Sequence, residues 1–400
     1  MSGLEKILLT VNVILYVFLA VFSYAYVDLN LTLAQNSQLL SFVGLMQQLG
    51  YYHRPQATLI YLILIIFTFS FFIFNLCFFY KSKVSLNYLK ASTIINTLIL
   101  IFAYPFLSSD LFNYLFDAKI ILNYHSSPYT NRPLDFPQDE WLRFMRWTHR
   151  YSPYGPLWLA LSLIPAAAGF GKFVLNFLTF KIFIALFYLL NTYLIWKILG
   201  KINTKMATFG TAFYALNPLF LIEGVVNAHN DVVLASFMLV TIYLLVVGKT
   251  LLSYPALLAG LLVKYIPILN LPWLIWISKS KSQRNIEKLV ILNLVTMTIF
   301  TYLFSSFRIS VPFVSSGATQ IQFQPWYLFW TLPFVALLPN FSLIVISVGL
   351  SIGASLRYLP YLFYGDWTHP NTILFMQSVI LIPLLLVGGS IVIRTIKRMI

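Results

Sequence analysis

The chain has 400 residues, 60% of them hydrophobic and only 9% charged, with a formal net charge of +15. A soluble domain carries about 25% charged residues, so a soluble fold is excluded and an all-α, polytopic membrane protein, a single unit over residues 1–400, is expected. Nucleic acid is excluded as the partner of the positive charge, because Lys and Arg punctuate the ends of apolar runs, the pattern that orients membrane helices in a bilayer.

A hydrocarbon core takes roughly 20 apolar residues per helix. The first such run, Ile7 to Val27, lacks a small-x-small cleavage site and is predicted to persist as a membrane helix. A loop, Asp28 to Gln56, precedes a second helix from Ala57 to Tyr80. Lys81, Lys83 and Lys90 mark the next loop as cytoplasmic, and a third helix, Ala91 to Leu107, returns outward. It delivers the chain to the longest polar interval, 108–156, which holds Asp110, Asp117, Asp135, Asp139 and Glu140. A loop this long inside a compact protein is usually a site or a lid, and it is predicted to be an exterior active-site loop. Within it, Asp110 to Tyr124 has helical spacing. Leu111, Tyr114, Leu115, Ala118, Ile121 and Leu122 form one apolar face, which suits an amphipathic helix on the membrane surface.

Leu157 to Phe170 is short and broken by Pro165 and Gly169, so a half-inserted hairpin is predicted there. Helices follow over Leu175–Leu199, Met206–Val226 and Val232–Val247, the last two joined by an exterior turn, Asn227-Ala228-His229-Asn230-Asp231. Two short apolar stretches, Leu251–Val263 and Ile268–Ile277, meet at Lys264. Leu289–Phe304 runs outward, an exterior loop holds Arg308, and short helices cover Tyr327–Leu338 and Phe341–Leu356. An exterior loop with Arg357, Asp366 and His369 leads to a last helix, Thr372–Ile393. The sum is about 12 transmembrane crossings with both termini cytoplasmic. In this topology 15 of the 26 Lys and Arg lie inside, but only Glu5 and Glu287 of the 11 acids. The acidic bias suggests chemistry at the outer face. No internal repeat is evident, which weighs against an inverted-repeat transporter.

Four constellations can carry chemistry. Asp110 and Asp117, seven apart on a helix, share a face. One can act as a general base while the other orients a hydroxyl, binds a sugar or holds a metal; the plainer role for Asp110 is a helix N-cap. His229, Asn230 and Asp231 can hydrogen-bond a sugar or phosphate, or can cap a helix-helix turn. Lys264, Arg308, Arg357 and Arg150 can meet a phosphate, or can snorkel to headgroups. A lysine among apolar residues, as Lys264 is, marks a functional site by default. Tyr154, Trp326 and Tyr327 can stack on a sugar or belong to an interfacial aromatic belt. The chain has no P-loop, GxGxxG, Cys/His metal pattern or soluble nucleotide-binding domain, so a sugar donor would be lipid-linked. Cys77 stands alone, which excludes disulfides within the chain.

The order of several segments resembles a known family. SSDLFNYLFDAK and SPY, then YSPYGPLWL, ALNPLFLIEGVVNAHND, LLVKYIP and QPWYLFW cover most of Ser108 to Trp330. Together they resemble the polyprenol-phosphate-mannose-dependent α-mannosyltransferases of the GT-C superfamily, the bacterial α-1,6 type above all, and more distantly the mannosyltransferase of glycolipid-anchor assembly. The resemblance implies a GT-C fold and inverting transfer of a hexose, mannose first, from a polyprenyl-phosphate donor. The acceptor would be a glycan or glycolipid at the outer face of the plasma membrane. It implies that Asp110 matches the catalytic loop aspartate, Asp117 a second acidic position, His229-Asn230-Asp231 the HND turn, and Lys264 a lysine near the donor phosphate. Position 112 is Phe, so no strict Asp-x-Asp is present and no residue is assigned to a divalent metal. A transporter or flippase of a lipid-linked sugar is the competing reading.

Overall fold

The computed structural model describes residues 1–33, 35–278, 283–299, 323–367, 369, 371, 375 and 378. Among them the chain is helical and contains no strand. Arg308 and nearly all of the predicted last helix lie outside the described residues.

Helix α1 (Gly3–Ser23) opens with a capping box: Ser2 Oγ accepts from the Glu5 N–H and Glu5 Oε2 from the Ser2 N–H. The other Glu5 oxygen accepts from the Ser85 N–H at 2.7 Å, which aligns the start of α4 (Leu86–Ile101) with that of α1. Midway along, Asn12 and Asn96 hydrogen-bond side chain to side chain across the same pair. Where lipid supplies no partner, such polar contacts between helices join helices that apolar burial alone would not hold together. A short helix α2 (Ser37–Gln47) and a long α3 (Arg54–Tyr80) lie between them in sequence.

Helix α4 ends sooner than expected. Pro105 has no N–H and disfavours helix in the residue before it, so Ala103 to Leu107 run as buried irregular chain down to α5 (Asp110–Leu122). That helix forms where the spacing predicts, but it is no surface amphipath. Phe112, Phe116, Asp117 and Ile120 are buried along with Leu111, Tyr114, Leu115 and Ala118 of the predicted stripe, because α5 packs on α6 (Pro156–Ala168) and α7 (Phe173–Ile202). The predicted half-inserted hairpin at 157–170 is instead the single helix α6. Pro165 sits inside it, and its carbonyl accepts from the Thr179 hydroxyl at 2.7 Å. The reversal comes after it, at Phe170 and Gly171, both at positive φ.

Helix α7 is the central post. It packs against α4, α6, α8 (Ala207–Ala215) and α10 (Asp231–Val246). Asn217 breaks the α8 direction, and α9 (Pro218–Leu221) continues into a π-helical turn, Ile222–Val226, bent 52° from the preceding segment. Helix α11 (Thr250–Val263) returns along α10, followed by α12 (Leu271–Ser278) and α13 (Gln283–Ile299). Gly155 meets the end of α11 so closely that a Cβ would lie 2.1 Å from the Leu262 carbonyl oxygen; its N–H donates to Val263 O at 3.1 Å. The described chain closes with α14 (Leu332–Leu337), α15 (Phe341–Leu356) and α16 (Leu359–Tyr364).

Four described helical segments are long and apolar enough to cross a membrane: Gly3–Tyr26, Arg54–Tyr80, Phe173–Ile202 and Phe341–Tyr364. Counting the bent Thr204–Ala215 and Pro218–Val226 as one span makes five, fewer than the expected 12. Many other apolar runs fold as helices of 10–17 residues, α4, α6, α10 and α11 among them, and most of the expected last helix lies outside the described residues, so the count of 12 is not confirmed.

Candidate active site

Asp110 is the first residue of α5, where the partial positive charge of a helix N-terminus favours a carboxylate. Its backbone N–H donates to Ser108 Oγ at 3.2 Å. The N-cap position belongs to Ser109, so capping does not account for the Asp110 side chain. That side chain keeps 21% of its surface exposed and meets His229, with Oδ2 3.4 Å from Nδ1. The other imidazole nitrogen lies 3.3 Å from Glu223 Oε2. Glu223 is fully buried and also accepts from Asn227 Nδ2 and from the Tyr358 hydroxyl, both at 2.9 Å. The result is a carboxylate–imidazole–carboxylate line whose far end is anchored in the core.

The local chain explains how His229 arrives there. The Asn217-Pro218 break starts a new helix, capped by Asn217 Oδ1 accepting from the Leu219 N–H. The π turn then carries Glu223 beyond the bend, and Ala228 takes a left-handed conformation, φ 55°, unusual for a residue with a Cβ. Asn227 Oδ1 accepts from the Leu107 N–H at 3.3 Å, and the Asn230 N–H donates to the Tyr114 hydroxyl at 3.3 Å. These bonds join the turn to the chain on both sides of Asp110. Burial alone would depress the His229 imidazole, but the carboxylates of Asp110 and Glu223 overcome it and lift its pKa to about 9.

A cavity of about 710 Å³ opens beside Asp110. Ser108, Ser109, Trp326 and Arg357 line it with Asp110, and farther along come Asp28, Arg54, Arg146 and the rings of Tyr51, Tyr361 and Trp367. Trp326 stacks on His229, ring centroids 3.9 Å apart at 20°, so it roofs the imidazole and walls the cavity at once. Arg357 is 5% exposed, its guanidinium lies 5.7 Å from the Phe323 ring, and its Nη1 finds no hydrogen-bond partner among the described residues. A buried guanidinium with a free donor on a cavity wall suits an anion.

Other predicted residues fall elsewhere. Asp117 is buried away from the cavity, and its burial, offset in part by Ser152, raises its carboxyl pKa to about 7. Tyr154 packs on Tyr114 at 4.9 Å, and its carbonyl accepts from the Tyr129 hydroxyl. Lys264 does not face the cavity as a free cation: it lies 2.9 Å from both oxygens of Asp231, which also accepts from Trp330 Nε1 at 2.6 Å. Tyr327 stacks on Trp330 at 4.0 Å beside that pair. The Asn230 side chain is buried, with neither polar atom partnered among the described residues. Arg150 is exposed over Trp147 at 4.1 Å.

Sequence reasoning passed over Arg54, Arg146 and Lys181. A signal existed for Arg54: the predicted topology puts this arginine on the side that the basic bias disfavours. Among the described residues no group of three or more His, Cys, Asp or Glu side chains is set to hold a metal ion.

Helices of membrane length and composition place the molecule among integral membrane proteins. Residues 15–281 match the family described as alpha-(1->6)-mannopyranosyltransferase, N-terminal domain, and the chain belongs to that family. It is therefore a glycosyltransferase of α-mannosyltransferase type, and the matched region carries Asp110, Glu223 and His229. No curated protein and no solved structure matches the chain.

Proposed function

We propose that the protein transfers mannose, with inversion, from a polyprenyl-phosphate mannose to a glycan or glycolipid acceptor at the outer face of the plasma membrane. The observation that carries this reading is the meeting of Asp110, backed by His229 and Glu223, with a buried guanidinium, Arg357, whose Nη1 has no hydrogen-bond partner among the described residues, along one cavity. The acceptor hydroxyl gives its proton to Asp110 as its oxygen bonds to the anomeric carbon. The bond from that carbon to the phosphate oxygen breaks, and polyprenyl phosphate leaves as an anion. A phosphate leaving group needs little protonation, so a fixed cation suffices to stabilise it. Arg357 supplies that cation, with Arg54 and the more exposed Arg146 also lining the cavity. His229 holds the Asp110 carboxylate in place, and Trp326 offers a face for a sugar ring. Lys264 serves by holding Asp231 rather than by touching the phosphate. The arginine-lined cavity and family membership together favour this reading over a flippase.

The test is transfer by purified protein from polyprenyl-phosphate mannose to a panel of α-mannosides, with and without EDTA. Asp110→Asn is expected to lower kcat about 10²- to 10⁴-fold, the usual contribution of a general base, in a protein that still folds. Arg357→Gln should act mainly on KM for the donor. An Asp110→Asn variant at the wild-type rate would remove the base assignment, and movement of labelled lipid with no new glycoside would replace the enzyme reading with transport.

A further inference from the structure

Lys181 is the largest buried charge that the reaction above does not use. It is the ninth residue of the 30-residue helix α7, wholly buried. No carboxylate pairs with it among the described ion pairs. Its Nζ donates to three backbone carbonyls: Leu100 at 3.0 Å, Ala103 at 2.5 Å and Val226 at 2.9 Å. Three acceptors take all three N–H bonds of an ammonium. Leu100 and Ala103 stand at the C-terminal end of α4, and Val226 at the end of the π turn, where the carbonyl ends of the backbone dipoles favour a cation; the Leu100 oxygen also accepts from the Ala103 N–H.

Those carbonyls belong to the two segments that bring the site together. Beyond Ala103 the chain reaches Asp110 in seven residues; beyond Val226 it reaches His229 in three. Lys181 thus draws together, from a third helix, the two strings whose tips are the Asp110–His229 pair. We propose that Lys181 is a positioning residue for transfer, fixing the spacing of Asp110 and His229 without touching substrate; this rests on the reading of Asp110 as base.

The measurement compares Lys181→Gln and Lys181→Met with Asn75→Ala. Asn75 accepts from the Tyr88 hydroxyl at 2.6 Å between α3 and α4, away from the site, and its loss controls for a general loss of buried bonding. Both Lys181 variants are expected to lower kcat about 10- to 100-fold, the scale of a misplacement of about 1 Å, with KM for donor and acceptor nearly unchanged. The effect should largely vanish in an Asp110→Asn background, as it must for residues acting through one another. The five histidines allow a second readout: the isotope-labelled imidazole signal of His229 should shift in Lys181→Gln and stay put in Asn75→Ala. A penalty equal to that of Asn75→Ala, one that multiplies fully with Asp110→Asn, or failure of both variants to insert and fold would overturn positioning in favour of a purely structural lysine. Were Asp110→Asn itself fully active, the base assignment would fall, while the imidazole shift would still report on Lys181.

Discussion

The turn from Asn227 to Asp231 and the loop from Asn123 to Gly155 are both rich in charged and hydrogen-bonding side chains, and they handle them in opposite ways. Every residue of the turn is fully buried. Its charges meet partners from outside the turn: Asp110 and the neighbouring Glu223 for His229, Lys264 and Trp330 for Asp231. In the loop, Arg132 and Asp135 pair three residues apart at 3.0 Å with side chains 40% and 29% exposed, a local contact in water. An exposed pair adds little stability, whereas a buried one is costly to break because a lone charge is left in low dielectric. The buried turn is therefore the more tightly held of the two, and it carries His229 of the proposed site. The loop, long as it is, contributes a wall to the cavity through Phe144, Arg146 and Trp147.

The sharpest break of that comparison is Asp231→Ala. It strands the Lys264 ammonium and the Trp330 N–H, and unfolding in detergent should show a loss of about 3–5 kcal/mol. Adding Lys264→Met should recover part of it; equal instability in the single and double variants would mean the pair is not coupled.

A smaller effect comes from pH on His229. Its folded pKa is raised from 6.5 to about 9, so the stabilisation it gives is whole below about pH 6.5 and fades as pH rises through about 9. Wild type should melt at progressively lower temperature across that window, while His229→Gln holds level. Parallel curves would remove the imidazolium from the account.

The loop also holds a buried carboxylate, paired with a lysine of α5, and it titrates at the opposite end. Lys119 Nζ lies 2.5 Å from Asp139 Oδ2, and the Tyr124 hydroxyl donates to the same oxygen at 2.6 Å. Burial alone would raise the Asp139 carboxyl, but Lys119, Tyr124 and the Trp141 N–H together hold its pKa below the ordinary value. Its contribution is therefore complete above the ordinary carboxylate range and is lost as pH falls through the lowered value. Proteolysis of the loop should stay slow at pH 5 and quicken only in stronger acid. The smallest effect belongs to Arg132→Ala, which should leave both melting and transfer unchanged. A clear loss in either would show that the loop carries more than its exposure suggests.

Much of the helical order was legible, because apolar runs, prolines and basic flanks act locally. Asp110, His229, Arg357 and Trp326 were reachable for a related reason: each polar or aromatic residue beside an apolar helix needs a partner. What the sequence does not reveal is which partner. Lys264 reads as a free cation until Asp231 is placed 2.9 Å away, 33 residues earlier in the chain. Asp117 reads as the companion of Asp110 by helical spacing, yet α6 and α7 bury it off the cavity. Arg54 and Arg146 reach one cavity from either side of 91 intervening residues, a convergence that no periodicity records.

The three bonds of Lys181 also set an order of assembly. Leu100 and Ala103 are synthesised about 80 residues before the lysine, and Val226 is made 45 residues after it. When α7 enters the bilayer, two of the three acceptors are already present, and the third does not yet exist. A bare ammonium in hydrocarbon is unfavourable, so α4 must receive α7 first and shelter its charge through the interval. The later bend at Asn217 then closes onto a socket that is waiting for it. On this order the Lys181 socket is built from the N-terminal side, with α4 as the host helix and Val226 as the last of its three acceptors to arrive.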